Sequence, residues 1–111
     1  MKTQFRTVLL TTLLASLSAP LIADDTVYTL TIKDHRFTPT ELTIPANTRV
    51  KVVVKNLDPT AEEFESYELN REKIIPGGKE AIIYIGPVSS GRYPFFGEFN
   101  QDTAQGVIIA K

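Results

Sequence analysis

Cysteine and tryptophan are absent from all 111 residues, and the chain holds one histidine and one methionine. The first absence excludes disulfides, thiolate metal ligands and a cysteine nucleophile together. A single imidazole excludes histidine clusters, and a Ser-His-Asp triad on His35 would rest on nothing more than the presence of the three residue types. Long apolar runs are also missing. The one candidate, Val8 to Leu17, is shorter than the roughly 20 residues that span a bilayer. Positive charge is not in excess, with 12 Lys and Arg against 13 Asp and Glu, so nucleic acid and anionic membrane surfaces are poor partners. The Gly77-Gly78 pair opens no helix, which makes it a turn and not a phosphate loop.

What is present begins with an export signal. Lys2 and Arg6 form a short basic region, an apolar stretch follows, and Ser18-Ala19-Pro20-Leu21-Ile22-Ala23 is a small-residue exit. This pattern reads as a signal peptide over 1–23, cleaved after Ala23. With no Cys for lipid attachment and no later apolar segment, the expectation is a soluble exported protein with no direct membrane insertion after cleavage, periplasmic in a Gram-negative cell. Residues 24–111 make one small domain. Cleavage removes two basic residues and no acidic ones, which leaves a mature net charge of about −3.

Along that domain the apolar period is two, interrupted by turn residues, which predicts an all-β chain. Tyr28, Leu30 and Ile32 alternate with Thr29, Thr31 and Lys33. Leu42 and Ile44 lead into Pro45-Ala46-Asn47, and Val50, Val52 and Val54 run up to Asn56. Phe64 sits in a short polar strand, Pro76-Gly77-Gly78 turns the chain into Glu80 to Ile85, and Arg92 to Phe96 and Gly106 to Lys111 supply the last strands. Glu68 to Lys73 is the one stretch where a helical turn fits. The sum is a single Greek-key β-sandwich.

The stretch from Asp34 to Ala46, with its Phe37-Thr38-Pro39 and Leu42-Thr43-Ile44 core, resembles the opening of the cupredoxins, and Gly91-Arg92-Tyr93 resembles the step before their copper cysteine. The resemblance implies a cupredoxin-like fold in which the Tyr93 hydroxyl seeks a hydrogen bond. Copper-binding members hold the metal with two His, a Cys and a weak axial Met. By that resemblance the first His position falls on Glu62, the Cys on Gly97, the second His on Asn100, and the Met near Ala104 or Gln105. None of the four ligands is present, so no type 1 copper centre can form.

Glu62-Glu63-Phe64-Glu65-Ser66, Leu69-Asn70-Arg71-Glu72-Lys73, Ile85-Gly86-Pro87 and Phe95-Phe96-Gly97-Glu98-Phe99 resemble the EfeO-type and stand-alone periplasmic cupredoxin-like proteins of bacterial iron uptake. That resemblance implies a role in handling iron, with copper as the other ion, beside a membrane iron permease or a periplasmic iron-binding protein. Those relatives commonly carry His where this chain has Asn100.

The side chains offer a separate argument. Ferric iron is a hard ion that prefers carboxylate oxygen. Glu63 and Glu65 share one face of a strand, with about 6.6 Å between them at a rise of ~3.3 Å per residue, and are placed either to bracket a cation or to charge an exposed edge against sheet-to-sheet pairing. Glu62, offset by one, points with Phe64 toward the sandwich end, where Asn100, Gln105 and Glu98 are the residues it could meet; if buried beside the Phe side chains it needs a partner, a cation or Arg36, Arg71 or Lys73. His35 is either a ligand oriented by Asp34 or a loop histidine bonded to nearby backbone. Glu98 and Asp102 flank the former ligand loop and complete the candidate metal ligands, although Asp102 equally suits an Asx turn. Alternation sends Phe95 inward and Phe96 outward and leaves Phe99 open between core and surface. Three functions remain: a metal-handling accessory using carboxylates, a metal-free interaction module docking through Phe99, and a ferroxidase.

Overall fold

The computed structural model describes residues 26–111, so the leader expected over 1–23 lies outside the described residues. The strands are β1 (Val27–Lys33), β2 (Arg36–Thr38), β3 (Glu41–Ile44), β4 (Val50–Asn56), β5 (Glu62–Ser66), β6 (Arg71–Ile75), β7 (Glu80–Ile85), β8 (Gly91–Gly97) and β9 (Gln105–Ala110), with a short 3-10 turn at Glu98–Asn100. They form two sheets in the orders β2-β1-β4-β7 and β3-β9-β8-β5-β6. β1 runs parallel to β4, and β3 parallel to β9, while the other pairings are antiparallel. The result is the all-β sandwich of two sheets that the period of two implied.

Alternation assigns the inner faces. Leu30 and Ile32 of β1, Val50, Val52 and Val54 of β4, and Ile83 and Ile85 of β7 meet Leu42, Ile44, Phe64, Ile75, Phe95 and Ile108 from the other sheet. At the centre, Phe64 and Phe95 stack at 5.1 Å, and Phe37 meets Phe95 edge-on at 4.9 Å. Each aromatic pair adds about 0.5–1.5 kcal/mol beyond its buried area. Phe95 is inward as expected. Phe96 lies on the other face, where its ring stands 5.5 Å from Tyr67.

The helical turn expected over Glu68 to Lys73 is corrected. Residues 67–70 form a turn closed by Asn70 N–H donating to the Tyr67 carbonyl, and Arg71 opens the edge strand β6. Only Ile75 of β6 is buried, so its apolar alternation was too weak to read in a row of charged residues. Pairing with β5 decides its conformation. The turn at Pro76-Gly77-Gly78 is as expected. A Cβ on Gly77 would strike the Pro59 carbonyl oxygen, and Gly78 has φ of +69°. Tyr93 donates its hydroxyl to the Ser89 carbonyl at 2.8 Å.

Asn56 ties the end of β4 together. Its side-chain amide donates to the carbonyls of Thr60 (2.9 Å) and Ile75 (3.0 Å), and its Oδ1 accepts from the Asp58 N–H (3.0 Å). This fixes where the β4–β5 connection ends and β5 begins. Glu62 is the first residue of β5.

Candidate functional site

Because side chains alternate along β5, its three acids fall on two faces. Glu62, Phe64 and Ser66 are buried, while Glu63 and Glu65 are half-buried on the outside. The expected inward direction of Glu62 is realised, with the residue only 1% exposed.

Of the residues expected to meet Glu62, Asn100 does so, whereas Arg36, Arg71 and Lys73 form no ion pair with it among the described residues. Glu62 Oε1 accepts the backbone N–H groups of Glu63 (3.0 Å) and Phe99 (2.9 Å), and its Oε2 accepts the Asn100 side-chain amide at 2.7 Å. Arg71 instead donates to the carbonyls of Tyr84 and Asn70. The four positions assigned to copper ligands do converge. A Cβ on Gly97 would lie 2.6 Å from Glu62 Cδ and 2.7 Å from the Ala104 Cβ, and Asn100 reaches the same carboxylate. Gly97 N–H donates to the Ala104 carbonyl, and Ala104 N–H to the Asn100 carbonyl, which closes the loop around the Glu62 side chain. A Glu, a Gly, an Asn and an Ala offer no soft donor, so the set does not fit a type 1 copper ion.

The outer face gathers a different group. Glu65 lies directly opposite Glu72 across the β5–β6 pair, and one carboxylate oxygen from each of Glu63, Glu65 and Glu72 lies within 4.8 Å of the others. Partial burial, a hydrogen bond with Glu63 and the charge of Glu72 raise the Glu65 carboxyl above its ordinary value. Three oxygens at that spacing suit a hard cation. Glu72 was missed as a candidate because nothing local in Arg71-Glu72-Lys73 says which residue it opposes. The pairing register says so.

His35, Glu98 and Asp102 are not members of that group, and neither is Glu62. His35 occupies the two-residue β1–β2 turn, where Asp34 and His35 have φ of 53° and 55°. Asp58, buried beneath them, accepts the Asp34 and His35 N–H groups at 2.8 and 2.9 Å. The His35 ring has Nδ1 3.6 Å from Asp58 Oδ2, beyond hydrogen-bond reach, so Asp58 holds His35 through its backbone N–H and not through the ring. The His35 N–H bond is the main reason that the Asp58 carboxyl falls below its ordinary value, helped by Asp34 and opposed by burial. The Thr103 hydroxyl donates to the His35 carbonyl at 2.6 Å, so this turn abuts the former ligand loop. Asp102 is exposed, and the loop's turn bonds run through Asn100, Thr103 and Ala104. Phe99, left open by the sequence, is 52% exposed.

Residues 6–110 match the profile of the Cupredoxin-like domain. An uncharacterized protein of Rickettsia prowazekii (strain Madrid E) is 46% identical over 80 residues, which cover 72% of this chain and 64% of that protein. Among solved structures, auracyanin A, a blue copper protein of Chloroflexus aurantiacus, superposes with a TM-score of 0.66 at 12% identity, over 78% of this chain and 98% of that one. The metal-binding domain of the Cu(I)-exporting P-type ATPase of Streptococcus pneumoniae D39 gives 0.65 at 15% identity, over 77% and 84%. At such identities the structural likeness establishes the fold, while the profile match over nearly the whole chain establishes kinship. The chain belongs to the cupredoxin-like domain family, as a member in which a glutamate carboxylate is buried beside Gly97, Asn100 and Ala104.

Proposed function

We propose that this protein is an exported, periplasmic accessory in iron handling, with copper as the alternative cargo, which meets the metal through carboxylates on the outer face of β5 and β6. The observation that carries this reading is the meeting of Glu63, Glu65 and Glu72 within 4.8 Å of one another. Three oxygen donors match the preference of ferric iron for hard ligands, and half-exposed acids suit a cargo that must be released to a membrane iron permease or a periplasmic iron-binding protein. Titration of the purified protein with ferrous, ferric and cupric ions by calorimetry tests it. Binding that is lost in a Glu63→Gln, Glu65→Gln double variant supports the reading, and no heat at micromolar metal overturns it.

A second reading is a metal-free interaction module. Its support is Phe99, which is half-exposed while its own N–H is held by the buried Glu62. Co-purification of the permease that resists chelator and disappears in Phe99→Ala distinguishes this reading from the first.

A further inference from the structure

A buried carboxylate is a costly group, and among the described residues no cationic side chain forms an ion pair with Glu62. Removing such a charge from water costs several kcal/mol unless hydrogen bonds replace the lost hydration. Glu62 has three such bonds. Two come from groups 37 and 38 residues away in sequence, the Phe99 N–H and the Asn100 side-chain amide, and the third from the N–H of its own neighbour Glu63. Among the described residues no buried side-chain nitrogen or oxygen lacks a partner. The small side of the cavity is shaped to the same group. Gly97 has no Cβ where one would strike Glu62 Cδ, and Ala104 is fully buried beside it.

We propose that these donors form a receptor for a carboxylate group, that Glu62 is its built-in ligand, and that this self-ligation pins the 97–104 loop to β5. An apolar side chain of the same volume would fill the space at less cost, but it would leave the donors of Phe99 and Asn100 without an acceptor. The loop therefore takes its shape from the chain itself. Phe99 is presented on a backbone whose N–H is already bound, whether or not metal sits on the outer face. The inference stands apart from the iron reading, since Glu62 and the outer triad lie on opposite faces of β5.

Amide hydrogen exchange on the purified protein, followed residue by residue with NMR, tests it. In Glu62→Ala the Phe99 amide should exchange roughly tenfold faster or more, beyond any change at Val52 and Ile83 in the central strands. Sodium formate, compared with sodium chloride at equal ionic strength, should slow it again by refilling the receptor. Glu62→Gln keeps an acceptor in place and should retain most of the protection, while the space-filling Glu62→Met should not. Chelator should leave the wild-type exchange unchanged. Equal protection of Phe99 in the Gln and Met variants would show that Glu62 only fills space, and would overturn the proposal. So would Phe99 exchange that follows the central strands in every variant, or formate acting no differently from chloride.

Discussion

Asn100 donates its side-chain amide to the carboxylate of Glu62 across 2.7 Å, joining the loop after β8 to the first residue of β5. Replacing Asn100 with Leu leaves Oε2 buried without that donor and should cost about 1–3 kcal/mol. Asn100→His, which retains an N–H donor, should cost less. Urea denaturation with the slope held in common measures the difference, and equal losses for the two variants would contradict the bond's importance.

Gly97 is small because Glu62 needs the space. Gly97→Ala puts a methyl group 2.6 Å from Glu62 Cδ and 2.7 Å from the Ala104 Cβ, an overpacking worth about 1–3 kcal/mol. Shortening the neighbour should relieve part of that strain. In a double-mutant cycle with Glu62→Ser, the Gly97→Ala penalty should therefore shrink, whereas independent sites would give additive losses.

Glu65 sits where acid favours folding. Its folded value is raised above 4.5, by burial first and by Glu63 and Glu72 next. The folded chain thus holds a proton that the unfolded chain has released, and the site's contribution to stability falls as pH climbs from 4.5 through the raised value. Glu65→Gln should be more stable than wild type at neutral pH and equal to it well below pH 4.5. Thermal melts across that range decide the matter, and a difference that stays constant with pH would refute the assignment.

Asp58 behaves in the opposite sense. Its folded value is lowered below 3.8, chiefly by the His35 N–H, so its stabilisation is present above 3.8 and is lost as pH falls through the depressed value. Asp58→Asn weakens the acceptor for two N–H groups in a turn whose residues both have positive φ, and should cost about 1–3 kcal/mol at neutral pH. The gap between variant and wild type should narrow in acid. Circular dichroism melts at neutral and strongly acidic pH measure it.

With two outer carboxylates removed in a Glu63→Gln, Glu65→Gln variant, a chelator-treated sample should melt at the same temperature as an untreated one. The three bonds that close the Glu62 pocket come from the chain and not from an ion. A large drop in that variant's melting temperature on adding chelator would show that the 97–104 loop depends on metal.

Much of this molecule is local, and so was legible. The pleat sends successive side chains to opposite faces; hence the inward Glu62 and Phe64, the outward Glu63 and Glu65, and the burial of Phe95 all follow from position along a strand. The turn at Gly77-Gly78 and the absence of a type 1 copper site follow from residue type alone. Three other assignments did not, because each depends on which distant segments pair. Glu72 joins Glu63 and Glu65 only through the β5–β6 register, in a strand whose charged residues hide its period. Asp58, 23 residues from His35, is the acid that accepts the His35 backbone N–H, where adjacency draws attention to Asp34. The buried carboxylate of Glu62 meets Asn100, one of the residues expected at that end, but its bond from the Phe99 N–H is encoded by neither charge nor spacing, because a backbone N–H belongs to every residue except proline and only the fold decides which one arrives.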